Sequence, residues 1–137
     1  MYRYHLLAMP RPTFIVAEPE PEQALSTRKL VLETAKYNVL TAYSGRETVE
    51  LAQQFPKVDA LVIHSELDGM NWQQVVKEVR KIHREMPVVL LSAGLGVDRK
   101  LADHTVSSYE PEELLHLVRG LFGDPRPSPS RRIEEAS

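Results

Sequence analysis

No cysteine occurs among the 137 residues, which removes disulfides, thiolate nucleophiles, iron–sulfur clusters and thiolate zinc sites together and agrees with a reducing compartment. Any metal would have to be held by His, Asp or Glu. Charge of one sign is also missing: 17 Lys and Arg face 19 Asp and Glu, for a formal net charge of -2. So balanced a chain has no general field to gather nucleic acid or an anionic membrane, and neither is expected as a partner. Apolar runs are short, far below the roughly 20 residues that a membrane span needs. The opening MYRYHLLAMPRP has no long apolar region and no small-residue cleavage site, so a cytoplasmic location is expected. Glycine numbers only 6. Its one cluster, Ser92-Ala93-Gly94-Leu95-Gly96, fits neither GxGxxG nor GxxxxGK[ST], and no GxSxG string occurs. Nucleotide chemistry and serine-hydrolase chemistry are unsupported, and an enzyme is not expected.

What is present suits one ordinary domain, with 42% hydrophobic and 26% charged residues; a second core would not fit. The last stretch, residues 123–137 (GDPRPSPSRRIEEAS), holds three of the 10 prolines and too little apolar surface to offset ordering, so it reads as a disordered tail or a linker. Residues 1–12 read as an N-terminal extension interrupted by Pro10 and Pro12, which leaves a compact unit at 13–122. Inside it, TFIVA (13–17), VLTAY (39–43), ALVI (60–63), VVLL (88–91) and a weaker TVS (105–107) are unbroken apolar runs of the kind found in parallel strands covered on both faces. Helix signals lie between them. Pro21 after Glu20 predicts a helix start ahead of Ala24, Leu25, Val31, Leu32 and Ala35. Ser44 with Glu47, and Asn71 with Gln74, read as capping boxes. The first leads into Val49, Ala52 and Phe55. The second leads into Trp72, Val75, Val76, Val79, Ile82 and Met86, with His83 on the polar side. Glu110 and Pro111 open a last helix with Leu114, Leu117, Val118, Leu121 and Phe122 facing inward.

Strands alternating with helices predict a doubly wound α/β parallel sheet with right-handed crossovers. In such a sheet a ligand sits outside the carboxyl ends of the strands, beside the first. The residues to inspect are therefore Glu18 to Glu20, His64 to Met70, Ser92 to Gly94, and Ser107 to Tyr109. The pieces TFIVAEPEPE, YNVLTAYSGRETVELAQQ, DALVIHSELDGMNW, MPVVLLSAG and SSYEPEELLHLV, in this order and spacing, resemble the receiver domains of two-component response regulators. The resemblance covers nearly all of 13–122. It implies a flavodoxin-like five-stranded sheet of order 2-1-3-4-5 and a role in phosphorelay signal transduction.

In that family a histidine kinase passes a phosphoryl group to an aspartate ending the third strand. Mg²⁺ is held there by that aspartate and an acidic pair after the first strand, with a hydroxyl and a lysine completing the site. On these positions this chain carries His64 for the acceptor, Ala17 and Glu18 for the pair with Glu20 nearby, and Ser92 for the hydroxyl. The lysine position carries Ser107, or Ser108 if the loop shifts by one. Imidazole in place of a carboxylate removes a charge and a hard ligand, so Mg²⁺ binding is not expected, and no other cofactor is. The bland reading of His64 is a partly buried imidazole bonded to a backbone group or to Glu18. The span from Ser92 to Ser107 predicts a shortened fourth helix, a single turn near 97–102, or an irregular loop, altering the surface through which the family pairs.

The resulting expectation is an atypical receiver, or pseudo-receiver: a phosphorylation-independent protein–protein interaction module with a protein partner or self-association. Its expected face comprises Tyr109, Leu115 and His116, with a packing role for Tyr109 as the bland alternative. His104 and His116 are expected at the surface. Two rivals stand beside it: a phosphorelay member modified at His64, and a flavodoxin-like module binding zinc or manganese through Glu18, Glu20 and His64.

Overall fold

The computed structural model describes residues 11–21, 26–92, 94 and 100–125. Five parallel strands, β1 (Thr13–Ala17), β2 (Asn38–Ala42), β3 (Ala60–His64), β4 (Val88–Ser92) and β5 (His104–Ser107), form one sheet in the order β2-β1-β3-β4-β5. This is the doubly wound parallel sheet that the alternation of apolar runs and helix signals predicts, in the flavodoxin-like order that the resemblance implies. β1, β3 and β4 are buried almost throughout because both faces are covered. Val, Ile and Leu dominate them for that reason.

Four helices among the described residues cover the sheet: α1 (Thr27–Thr34), α2 (Gly45–Gln54), α3 (Trp72–Ile82) and α4 (Pro111–Phe122). Strand residues alternate between two apolar layers. Ile15, Ala17, Leu61, Ile63, Val88 and Leu90 pack with Ala52, Trp72, Val75, Val76 and Val79 of α2 and α3. Phe14, Val16, Val62, Val89, Leu91 and Val106 pack with Leu32, Leu114, Leu115 and Val118 of α1 and α4.

Side chains fix where the helices start. Ser44 Oγ accepts from the Glu47 N–H at 3.2 Å, and the Glu47 carboxylate reaches back to the Tyr43 N–H at 2.9 Å. This reciprocal arrangement returns to the residue before the cap rather than to the cap itself. Asn71 Oδ1 accepts from the Gln74 N–H at 2.9 Å. Pro111 opens α4, with Glu112 and Glu113 in its first turn, where negative charge is favoured.

Several expectations need correction. Pro21 is not helical; α1 begins at Thr27, capped by Ser26. Residues 22–25, with the expected helical positions Ala24 and Leu25, lie outside the described residues. Ile82, Phe55 and Leu121 are exposed, because each lies at the end of its helix, past the sheet it would cover. Met86 is buried yet lies beyond α3. His83 caps α3 and faces inward to the Ala52 carbonyl, 3.2 Å from Nε2, rather than lying on a polar side. His104 is half-buried, while His116 is exposed.

Half of the sequence assigned to the short fourth helix, residues 97–99 of 97–102, lies outside the described residues, and residues 100 and 101 are in a turn. The N-terminal extension, apart from residues 11 and 12, and the tail beyond 125 also lie outside them. No helix among the described residues is long and apolar enough to cross a membrane.

Candidate functional site

Sheet pairing continues past the strand ends and gathers the inspected residues along one edge. The Glu18 N–H donates to the Ala42 carbonyl at 3.0 Å, Ser65 to Leu91 at 2.9 Å, and Ser108 to Ser92 at 3.1 Å. Glu18 is in phase with Val16 and His64 with Val62, so both belong to the side covered by α1 and α4. Ser92 is in phase with Leu90 and belongs to the other side. Ala17 offers a methyl group to the α2–α3 layer and no ligand atom.

Glu18 is 1% exposed, and a carboxylate so deeply buried needs a partner. Arg28, in the first turn of α1, supplies it: Nε donates to Oε2 of Glu18 at 2.5 Å. The Ser26 hydroxyl donates to Oε1 while its oxygen accepts from the Lys29 N–H, so one side chain both caps α1 and holds the carboxylate. Nη1 of Arg28 donates to the Ser108 carbonyl at 2.8 Å. One guanidinium thereby spans the end of β1 and the connection from β5 to α4.

His64 is 8% exposed, and Nδ1 accepts from the Glu66 N–H at 3.0 Å. With Nδ1 accepting, a neutral ring carries its proton on Nε2. Burial, then the Arg28 charge, lowers its pKa below the ordinary 6.5, while Glu66 and Glu18 pull the other way. The backbone-bonded imidazole expected from the sequence is present. The alternative partner, Glu18, is committed to Arg28 and Ser26.

Ser92 Oγ donates to the Gly94 carbonyl at 3.0 Å and Ser107 Oγ accepts from the Tyr109 N–H at 3.2 Å, so both hydroxyls close local turns. Ser108 is buried, and Glu20 is exposed. Tyr109 is 77% exposed, which corrects the packing role. Leu115 is buried in the α1–α4 layer and offers nothing to a partner, so the expected face loses that member and keeps Tyr109 and His116.

The sequence pattern alone does not single out Arg28. Starting the first helix at Pro21 places Arg28 two turns along it, away from the strand ends. The signal that finds it is Ser26, a capping residue that sets Arg28 in the first turn, level with Glu18. With both Glu18 oxygens engaged, Nδ1 of His64 used and alanine at position 17, these residues do not fit a hard divalent cation. Among the described residues no three His, Asp or Glu cluster as a metal site. Glu18, Glu20 and His64 therefore do not come together as such a group.

No protein-family model matches the chain. Response regulator GtcR of Aneurinibacillus migulanus is 31% identical over 97 residues, which are 63% of this chain and 39% of that protein. The chain thus spans about two fifths of the length of this relative. Among solved structures, a response regulator receiver protein from Sinorhizobium medicae superposes with a TM-score of 0.69 at 19% identity, covering 85% of this chain and 98% of that one. The response regulator TrrA of Thermotoga maritima, solved in complex with Mg(2+)-BeF, superposes with a TM-score of 0.62 at 26% identity, covering 81% and 99%.

Proposed function

We propose that this chain, a receiver-like domain of the two-component response-regulator kind, is a signalling module that recognises a protein partner through a fixed surface, without aspartyl phosphorylation and without Mg²⁺. The carrying observation is the state of the acceptor position. An aspartate there would present an oxygen nucleophile; His64 presents a ring whose one free lone pair already accepts a backbone N–H at 3.0 Å. Nitrogen attack on a phosphodonor would have to break that bond to the Glu66 N–H. Among the described residues the cation acting on His64 is Arg28, which Glu18 already holds.

The same features argue against an enzyme and against the phosphorelay rival. The proposed domain spans residues 13–122, in the compartment where two-component relays operate. The recognising surface includes Tyr109 and His116, both exposed. Incubation with a small phosphodonor and Mg²⁺, followed by intact-mass measurement at neutral pH, tests the reading. An unchanged mass is expected. A phosphoryl adduct that alters self-association or partner capture would overturn it.

A further inference from the structure

We propose that Arg28 is an internal cation standing in for a divalent ion: it neutralises Glu18 and ties the end of β1 to the β5–α4 connection, holding the loop that presents Tyr109 in one position. The inference deepens the reading above and rests on it for its functional meaning.

The geometry is specific to a guanidinium. Its donors point in fixed, divergent directions, and here Nε takes the Glu18 carboxylate while Nη1 takes the Ser108 carbonyl. The Ser108 N–H is held by the Ser92 carbonyl at 3.1 Å, and the Tyr109 N–H by Ser107 Oγ at 3.2 Å. Tyr109 therefore stands outside on a loop held by three hydrogen bonds at Ser108 and Tyr109. The cleft charge closes without a metal, since Glu18 and Arg28 cancel. A divalent ion would have to displace Arg28 from Glu18 and leave two cations side by side in a partly desolvated site. Ser26 adds a second donor to the carboxylate and anchors α1, so the arrangement is built from the helix start rather than from a flexible surface side chain.

The test uses the full chain. His64→Asp restores a carboxylate at the acceptor position, and His64→Asp/Arg28→Met also removes the internal cation. Paramagnetic Mn²⁺ is added to ¹⁵N-labelled protein and amide broadening is followed at Glu18, residue 64 and Ser65. No localised broadening is expected in the wild type or in His64→Asp, and broadening at these amides is expected in the double variant. Broadening in His64→Asp equal to that in the double variant, or none in a folded double variant, would overturn the assignment.

Arg28→Lys provides a measurement that does not depend on the double variant folding. It keeps the charge beside Glu18 but loses the fork, so the amides of Ser108 and Tyr109 are expected to shift while Mn²⁺ still fails to bind. Unmoved Ser108 and Tyr109 amides would sink the tie. None of these outcomes involves a phosphodonor. A phosphoryl adduct that alters self-association or partner capture would instead refute the reading of the previous subsection and leave the role of Arg28 standing.

Discussion

Two arginines clamp the two ends of the same sheet, and they do so in different media. At the carboxyl end Arg28 pairs with a Glu18 side chain that is 1% exposed and with the Ser108 carbonyl. At the amino end Arg80 pairs with Asp103 at 3.0 Å, with side chains 26% and 49% exposed, and donates to the carbonyls of Leu101 and Met86. Both side chains bridge a carboxylate and backbone oxygens across separate elements. Asp103, however, also accepts from the Val88 N–H at 2.7 Å and is open to solvent, whereas Glu18 is closed off from it. An arginine–carboxylate pair can thus be a modest surface brace or a structural necessity, and burial decides which.

The largest expected effect follows directly. Arg28→Ala leaves Glu18 charged and buried, and a loss of about 3–5 kcal/mol of unfolding free energy is expected. Arg80→Ala exposes Asp103 to solvent and removes backbone hydrogen bonds, for about 1–2 kcal/mol. Denaturant unfolding of both variants, extended to double-mutant cycles with Glu18→Gln and Asp103→Asn, measures the contrast. Equal coupling energies at the two ends would show that burial is not what separates them.

A second effect sharpens the carboxyl end. Gly45 opens α2 against the loop after β3: a Cβ there would stand 2.6 Å from Met70 Cβ and 2.8 Å from Val75 Cγ2. Gly45→Ala forces these apart and is expected to destabilise the fold by about 1–3 kcal/mol, read as a lowered denaturant midpoint at unchanged slope. A midpoint equal to wild type would mean that the loop at 65–71 yields freely and that the edge is less rigid than described.

The smallest effect is pH-dependent. The folded state disfavours protonated His64, through burial first and the Arg28 charge second. Below the ordinary 6.5 the unfolded chain therefore binds more protons than the native one. This contribution to stability is intact above that value and is lost as the pH falls from it toward the lowered native pKa. Denaturant midpoints collected across this window should fall on acidification, and less so in His64→Asn, which can still accept the Glu66 N–H. Parallel pH curves for the two proteins would remove His64 as the source.

Much of the fold was legible without coordinates because it follows from local periodicity. Unbroken runs such as ALVI and VVLL have to be covered on both sides, and five of them alternating with capped helices leave few ways to wind. Ser44 and Asn71 mark helix starts because a side-chain oxygen can satisfy an orphan N–H three residues on, a relation contained within four residues of sequence. The strand-end rule then picked out Glu18, His64, Ser92 and Ser107 as neighbours, since parallel register brings all carboxyl ends to one edge.

The partnership of Glu18 lay beyond that reach. Arg28 is only ten positions away in sequence, yet whether it meets Glu18 depends on where α1 begins and on how the helix lies across the sheet. Its second contact, to Ser108, joins residues 80 positions apart. The fates of Leu115 and Tyr109 were likewise set by packing: both are large and apolar enough to suit a core or an interface, and only the seating of α4 on α1 buried one and left the other in solvent. Sequence determined which residues could reach the cleft, because alternation and capping are short-range. Tertiary structure decided which of them are already bound to each other, because a buried charge selects its partner by proximity in space and by the water it has lost.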